Sequence, residues 1–304
     1  MDRFQYLLLM AGCLVLTLPL EFFFRARVWA RMGRYLQALA LPFLLFNAIN
    51  EAAVYRRLWS YSPRYTTGIR IPRNYPIEEV VFFAVIPMCA VLTFETVRNV
   101  YEGRVPSVRA WLRMPRQALG ELRSFPPIED RSNSTGKLLA KVSGAAAVVL
   151  VVLTPIIALL IRRSRGLAPS WLRRAFHGAY ESTFGRLDWE YPDYSVLALM
   201  LLAAVLIVEW RLRSHVFLMR AYWSTMAISA GFMVLVNGWL TKQSAPIVLY
   251  TPDEFVAGRL VWDIPTEDFA FGFALLTLVL ICWVKVIGVQ ITDPTQQRTP
   301  ALWK

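Results

Sequence analysis

No two glycines in this sequence stand two residues apart, so it holds neither a dinucleotide-binding fingerprint nor a glycine-rich phosphate loop. Histidine is nearly absent: His177 lies in a basic stretch and His215 near the end of an apolar block, and neither has neighbours that complete a metal-ligand set. The three cysteines, Cys13, Cys89 and Cys282, sit singly in three separate apolar blocks, which excludes a disulfide framework and a cysteine metal motif. There is no aspartate-rich array for a magnesium–diphosphate site. Lysine is scarce too, with 5 Lys against 28 Arg in a chain of net charge +12. That positive charge falls between the apolar blocks. Its expected partner is therefore the anionic headgroups of membrane lipids, with no nucleic acid involved. What survives these exclusions is proton chemistry on an apolar substrate, with no cofactor and no metal expected.

What the 304-residue chain does have is apolar sequence, 56% of the total, gathered in blocks. Seven blocks approach the roughly 20 residues that a membrane helix needs. They lie near Tyr6–Phe24, Leu36–Val54, Val80–Val97, Ser143–Ile161, Ser195–Trp210, Ala221–Leu240 and Phe269–Val289. A β-barrel would show alternating segments of about half that length. The first block lacks a small-x-small cleavage site and reads as a membrane helix rather than a signal peptide. The expected fold class is all-α, a polytopic membrane protein with about seven transmembrane helices.

These helices are organised by one stretch that occurs twice. Pro76-Ile77-Glu78-Glu79-Val80-Val81-Phe82-Phe83 returns 189 residues later as Pro265-Thr266-Glu267-Asp268-Phe269-Ala270-Phe271-Gly272. Upstream, Tyr61 precedes Pro76 by fifteen residues, as Tyr250 precedes Pro265. Glu21-x-x-x-Arg25 and Glu209-x-x-x-Arg213 repeat at an offset of 188 and read as interfacial i,i+4 ion pairs. Glu95 and Arg98 read as another interfacial pair, at the far end of the third helix. The chain thus divides into a first three-helix repeat at 1–101 and a second at 192–292. Between them lies a basic linker, 102–191, with one helix near 143–161, and a tail follows at 293–304. Three helices return the chain to the wrong side for a parallel duplication, and one extra crossing corrects this. The repeats are therefore expected to be parallel, with both acidic motifs facing one side.

Proline at a helix start and acids in the first turn suit ordinary capping and the helix dipole. Recurrence in register argues for more, because carboxylates at the mouth of a membrane helix are costly to keep. The catalytic candidates are Glu78, Glu79, Glu267 and Asp268. Neighbouring helix residues differ by about 100° around the axis, so only one acid of each pair can face a shared cavity squarely. Spacing does not choose between them. Phe82, Phe83, Phe271 and Trp59 offer electron-rich faces to a cationic intermediate, with ordinary packing as the plainer reading. Asn47, Asn50 and Asn237 lie toward the same end as the acids. They can touch a substrate or simply bond neighbouring helices. Tyr61 and Tyr250 complete the candidate binding set.

A three-helix unit with Pro-x-Glu-[Glu/Asp]-x-x-Phe at the head of its third helix, present twice, resembles the non-flavin lycopene cyclase family in its fused form. The most specific parts are Trp59-Ser60-Tyr61, Gly68 and Pro76-Ile77-Glu78-Glu79, with Tyr250, Gly258 and Ile264-Pro265-Thr266-Glu267-Asp268 in the second copy. The resemblance implies redox-neutral, acid-catalysed closure of the linear ψ end groups of lycopene, or a related carotenoid, into cyclic, β-type ends. Glu78, Glu79, Glu267 and Asp268 would supply the proton donor and acceptor. It further implies a lipophilic carotenoid as substrate, residence in a bacterial cell membrane and association with other carotenoid-pathway enzymes. Either one composite site between the repeats or one site per repeat is compatible with it. Two other functions fit the residues less well. A proton-coupled transporter would place acids at a repeat interface but show broken helices, and another prenyl-lipid-modifying membrane enzyme would show an aspartate-rich metal motif.

Overall fold

A computed structural model describes residues 2–71, 75–106, 193–251 and 258–288. The expected linker helix near 143–161, His177 and the tail lie outside them. The described residues form six long helices: α1 (Gln5–Phe23), α2 (Met32–Tyr55), α3 (Ile77–Tyr101), α4 (Asp193–Leu212), α5 (Arg220–Thr241) and α6 (Thr266–Ile287). All six are long and apolar enough to cross a membrane. Two three-residue strands, β1 (Trp59–Tyr61) and β2 (Val248–Tyr250), follow α2 and α5.

β1 and β2 pair antiparallel, with Trp59 opposite Tyr250 and Tyr61 opposite Val248. Because each strand leaves the same end of its repeat, this pairing fixes both acidic motifs at one end of the bundle. The duplication is parallel, the arrangement expected from the number of crossings. In each repeat a short bridge then leads into the third helix, Arg70 to Pro76 in the first and Arg259 to Pro265 in the second. Gly68 (φ +81°) and Gly258 (φ +75°) make the left-handed turns that bring the chain back toward those helices.

Helix order in space differs from helix order in the chain. α1 packs along α3 and α4 along α6, each within its own repeat. The middle helices are exchanged: α2 lies mainly on α6, and α5 mainly on α3. α3 and α6 thereby become the central pair, and a continuous run from Ala274 to Val284 on α6 is buried. α1 and α4 are peripheral, with Leu8, Val15, Leu16, Leu199, Ile207 and Trp210 facing outward, as lipid-facing positions should.

Polar groups inside the bundle find partners at short range. Thr17 and Thr93 donate to the carbonyls of Cys13 and Cys89 on their own helices, at 2.9 and 2.8 Å. Backbone groups cannot go unsatisfied at membrane depth. The buried Tyr35 hydroxyl likewise finds a backbone acceptor across the bundle, donating to the Ala84 carbonyl of α3 at 2.9 Å.

Two expectations change here. The Glu21 carboxylate, expected to serve an interfacial pair with Arg25, accepts the backbone N–H groups of Val28 (2.8 Å) and Trp29 (3.1 Å) and so holds the turn from α1 to α2. Its counterpart Glu209 accepts the Ser214 hydroxyl in the corresponding turn. Glu95 and Arg98 do pair, but inside the bundle and with more partners than each other. Glu95 is fully buried and accepts from Arg31 and Arg98, each at 2.8 Å. The Trp283 indole N–H of the other repeat reaches its second oxygen at 2.9 Å. The Arg31 guanidinium also lies over the Trp283 ring, 5.0 Å from its centre. This cluster locks the two repeats together at the end opposite the acidic motifs.

Candidate active site

Pro76 and Pro265 stand as N-caps of α3 and α6, and no side chain caps either helix. The acids behind them are therefore not spent on capping, and the two members of each pair diverge. Glu79 and Asp268, the second of each pair, line one cavity between the repeats. Glu78 and Glu267 do not line it. Glu78 turns back to accept the Thr67 backbone N–H at 2.6 Å, and Glu267 accepts the Ser195 hydroxyl at 2.5 Å. All four carboxylates are buried. The 100° step between neighbours accounts for the split, since one of each pair must point away from the cavity that the other faces.

Each cavity carboxylate is met by the same kinds of residue from the same places in its repeat. Glu79 accepts the Tyr6 hydroxyl of α1 at 2.5 Å and the Asn50 amide of α2 at 3.1 Å. Asp268 accepts the Tyr194 hydroxyl of α4 and the Asn237 amide of α5, the latter at 2.8 Å. Tyr250, on β2, adds its hydroxyl 2.9 Å from both Asp268 oxygens. Tyr61, its counterpart on β1, donates instead to the Asn50 carbonyl oxygen at 3.2 Å, which the Trp59 indole N–H also reaches at 2.9 Å. Burial, reinforced by neighbouring Asp268, pushes the Tyr250 hydroxyl well above the usual tyrosine range. Burial and Glu79 do the same to Tyr61. Both hydroxyls therefore keep their protons and serve as donors.

Between the carboxylates the cavity is walled by aromatic rings from both repeats. Trp59 stands edge-on to Tyr194 with centres 5.0 Å apart, and 5.9 Å from Tyr250. Phe271 lies 6.4 Å from Trp59 and 6.3 Å from Phe83, and Phe82 packs edge-on to Phe83 at 5.3 Å. The cavity holds about 1110 Å³ of empty space, part of it continuous with the outside. Among the described residues, no group of three His, Cys, Asp or Glu side chains is placed to hold a metal ion.

Of the residues expected to bind substrate, Phe82, Phe83, Phe271, Asn50, Asn237, Trp59, Tyr61 and Tyr250 all line this cavity. Asn47 does not line it. One turn from Asn50, it accepts the Tyr75 hydroxyl at 2.9 Å and donates to the Phe43 carbonyl at 2.7 Å. Tyr6 and Tyr194 were absent from the expected set. Their signal was present, because they stand 188 residues apart, the offset that relates Glu21 to Glu209.

A pair of buried carboxylates in matched polar cradles, set between two exchanged helical repeats whose helices are long and apolar enough to cross a membrane, defines a class of duplicated helical protein with a two-carboxylate cavity. Comparison with known families makes this specific. The lycopene cyclase family profile matches residues 4–97 and again 192–285, more than half of the chain. The chain belongs to the lycopene cyclase family. No curated protein and no solved structure matches it.

Proposed function

We propose that the protein is a carotenoid cyclase that closes linear end groups of lycopene, or a related linear carotenoid, into β-type rings. It does so in the cell membrane, without net redox change, at one composite site. The observation that carries this reading is that Glu79 and Asp268, one from each repeat, line a single aromatic-walled cavity in matching Tyr–Asn cradles. Family membership supplies the substrate class.

The chemistry needs one proton given and one taken. A protonated carboxyl adds its proton to the terminal double bond of the end group, leaving a tertiary cation. The nearby double bond of the folded chain attacks that cation, so a carbon–carbon bond forms and the charge moves into the ring. A carboxylate then removes a ring proton and restores a double bond. The product is an isomer of the substrate, and the pair Glu79/Asp268 ends with the protons it began with. General acid and base are thus supplied by two like groups in one apolar site. The faces of Trp59, Phe82, Phe83 and Phe271 suit the passing cation. The tyrosine and asparagine donors hold each carboxylate in one orientation, so little reorganisation accompanies proton transfer.

Glu79→Gln and Asp268→Asn, each expressed in a lycopene-accumulating host, test the assignment by pigment chromatography. Both are expected to leave lycopene unchanged, whereas Glu78→Gln and Glu267→Gln retain ring formation. A one-ringed product from either cavity variant alone would show separate sites in the two repeats and sink the composite site.

A further inference from the structure

The cavity does not share the symmetry of the carboxylates. From Glu79 it continues along α3 past Ile86, Cys89 and Ala90 to Thr93, with Cys13 and Thr17 of α1 on one side. Fourteen helical positions separate Glu79 from Thr93, about 21 Å along the axis. Across the groove stand Ser229, Phe232 and Met233 of α5, and Phe232 is itself 41% exposed, so this wall reaches the outer surface of the bundle.

The second repeat supplies an internal comparison. At the offsets that relate Tyr6 to Tyr194 and Glu79 to Asp268, the counterparts of Cys13, Thr17 and Cys89 are Leu201, Val205 and Leu278. The two leucines are larger than the cysteines they replace and Val205 has the shape of Thr17; all three are buried, and none lines the cavity. At the offset that relates Asn50 to Asn237, Met233 corresponds to Phe46. The Phe46 ring is fully buried against Phe271 and Phe83, with centres at 5.1 and 6.2 Å. Beside α1 and α3 the cavity therefore runs on to Thr17 and Thr93, whereas beside α4 and α6 it goes no further than Tyr194 and Leu276.

The open side is also chemically dry. Thr17 and Thr93 spend their hydroxyls on carbonyls of their own helices, and the Cys89 thiol lies 3.2 Å from the Thr17 hydroxyl and 3.6 Å from the Cys13 carbonyl. A hydrocarbon entering the groove meets methyl groups, sulfur and aromatic faces, and the Thr17 and Thr93 hydroxyls it passes are already bonded to their own helices.

We propose that the groove between α1, α3 and α5 is the seat of the substrate's polyene chain, entered from the bilayer at the Phe232 wall, and that Cys13, Thr17, Cys89 and Thr93 set its bore. This rests on the cyclase reading and extends it. With its chain in this groove, a carotenoid presents each of its two ends in turn to the Glu79/Asp268 pair, leaving and re-entering between the two closures.

Two measurements test this on the full-length protein. In the first, the double variant Cys13→Leu/Cys89→Leu, which gives the groove the residues of repeat two, is compared with wild type on lycopene and on a short acyclic isoprenoid with the same end group. Lycopene turnover is expected to fall more than tenfold while the short substrate is still closed. Leu201→Cys/Leu278→Cys is expected to leave both unchanged. Loss on both substrates by the groove variant, or on neither, overturns the assignment. The second needs no turnover: alkylation of wild-type thiols by N-ethylmaleimide is followed by mass spectrometry in vesicles with and without lycopene. Lycopene is expected to slow modification of Cys13 and Cys89 several-fold and to leave Cys282, which does not line the cavity, unaffected. Equal rates with and without lycopene overturn the groove. A wild type that forms no ring at all would instead overturn the cyclase reading, and the protection result would then decide the groove by itself.

Discussion

The Trp59 indole of the first repeat meets the Tyr194 ring of the second edge-on, with centres 5.0 Å apart, while its N–H holds the Asn50 carbonyl at 2.9 Å. One side chain thus closes the repeat interface and orients the amide that faces Glu79. Trp59→Leu should therefore do two separable things. Loss of a large buried aromatic is expected to lower stability by a few kcal/mol, roughly 2–4, read as earlier thermal aggregation in detergent. The freed Asn50 amide is expected to lower ring formation per folded molecule as well. A variant with normal turnover per folded molecule would reduce Trp59 to a packing residue.

The paired tyrosines give a second expectation. Tyr6→Phe and Tyr194→Phe each remove one hydroxyl from a carboxylate without changing the ring. A hydrogen bond to a charged group is worth about 1.5–3 kcal/mol. Each variant is expected to close rings roughly tenfold or more slowly at unchanged protein level, scored by product pigment against membrane-extracted protein. Unaltered rates in both would remove them from the site.

Asn47 and Asn50 are one turn apart on α2 and should behave differently. Asn50→Leu strips Glu79 of a donor and Trp59 and Tyr61 of an acceptor, and turnover is expected to collapse. Asn47→Leu costs the Tyr75 hydroxyl its acceptor, about 1 kcal/mol of stability, and leaves turnover per folded molecule near wild type. Equal effects on turnover would show that the division drawn between them is wrong.

At the opposite end, Glu95→Gln removes the carboxylate that buried Arg98 and half-buried Arg31 share, leaving Arg98 only the 3.8 Å contact to Glu102 among the described residues. Breaking a buried ion pair from one side costs about 3–5 kcal/mol, so this variant is expected to accumulate poorly or melt early. Trp283→Phe removes only one donor and part of the cation–π contact, and its expected loss is smaller. The order of the two melting temperatures is the test.

Much of this site was legible because the chain carries its own alignment. Two copies of one motif singled out the four acids, Tyr61/Tyr250 followed from equal spacing, and Asn50/Asn237 from their place at the ends of corresponding helices. Which acid of each pair faces the cavity was not legible, because a rotation of about 100° is decided by what packs around the helix. Tyr6 and Tyr194 were passed over because an aromatic at the head of an apolar block reads as an interfacial anchor. Glu95 read as one half of an interfacial pair with Arg98 because both stand at the end of an apolar block. The indole that buries it comes from the other repeat, 188 positions away. Glu21 paired with Arg25 on spacing alone, but its oxygens serve the amides of the next turn, and nothing in an i,i+4 pattern announces a backbone acceptor.

The exchange of α2 and α5 has a consequence for how the two halves can change. Each repeat lends its middle helix to the other's central helix, so a half alone would leave an apolar face without its partner. The chain behaves as a tethered heterodimer: the link between halves fixes their ratio at one to one and keeps each at high effective concentration for the other. A tethered pair is free of the requirement that both sides of a self-matching interface change together. Val248 stands in the second copy where Trp59 stands in the first, and Gly272 where Phe83 stands. The two halves no longer match side chain for side chain around the cavity they share.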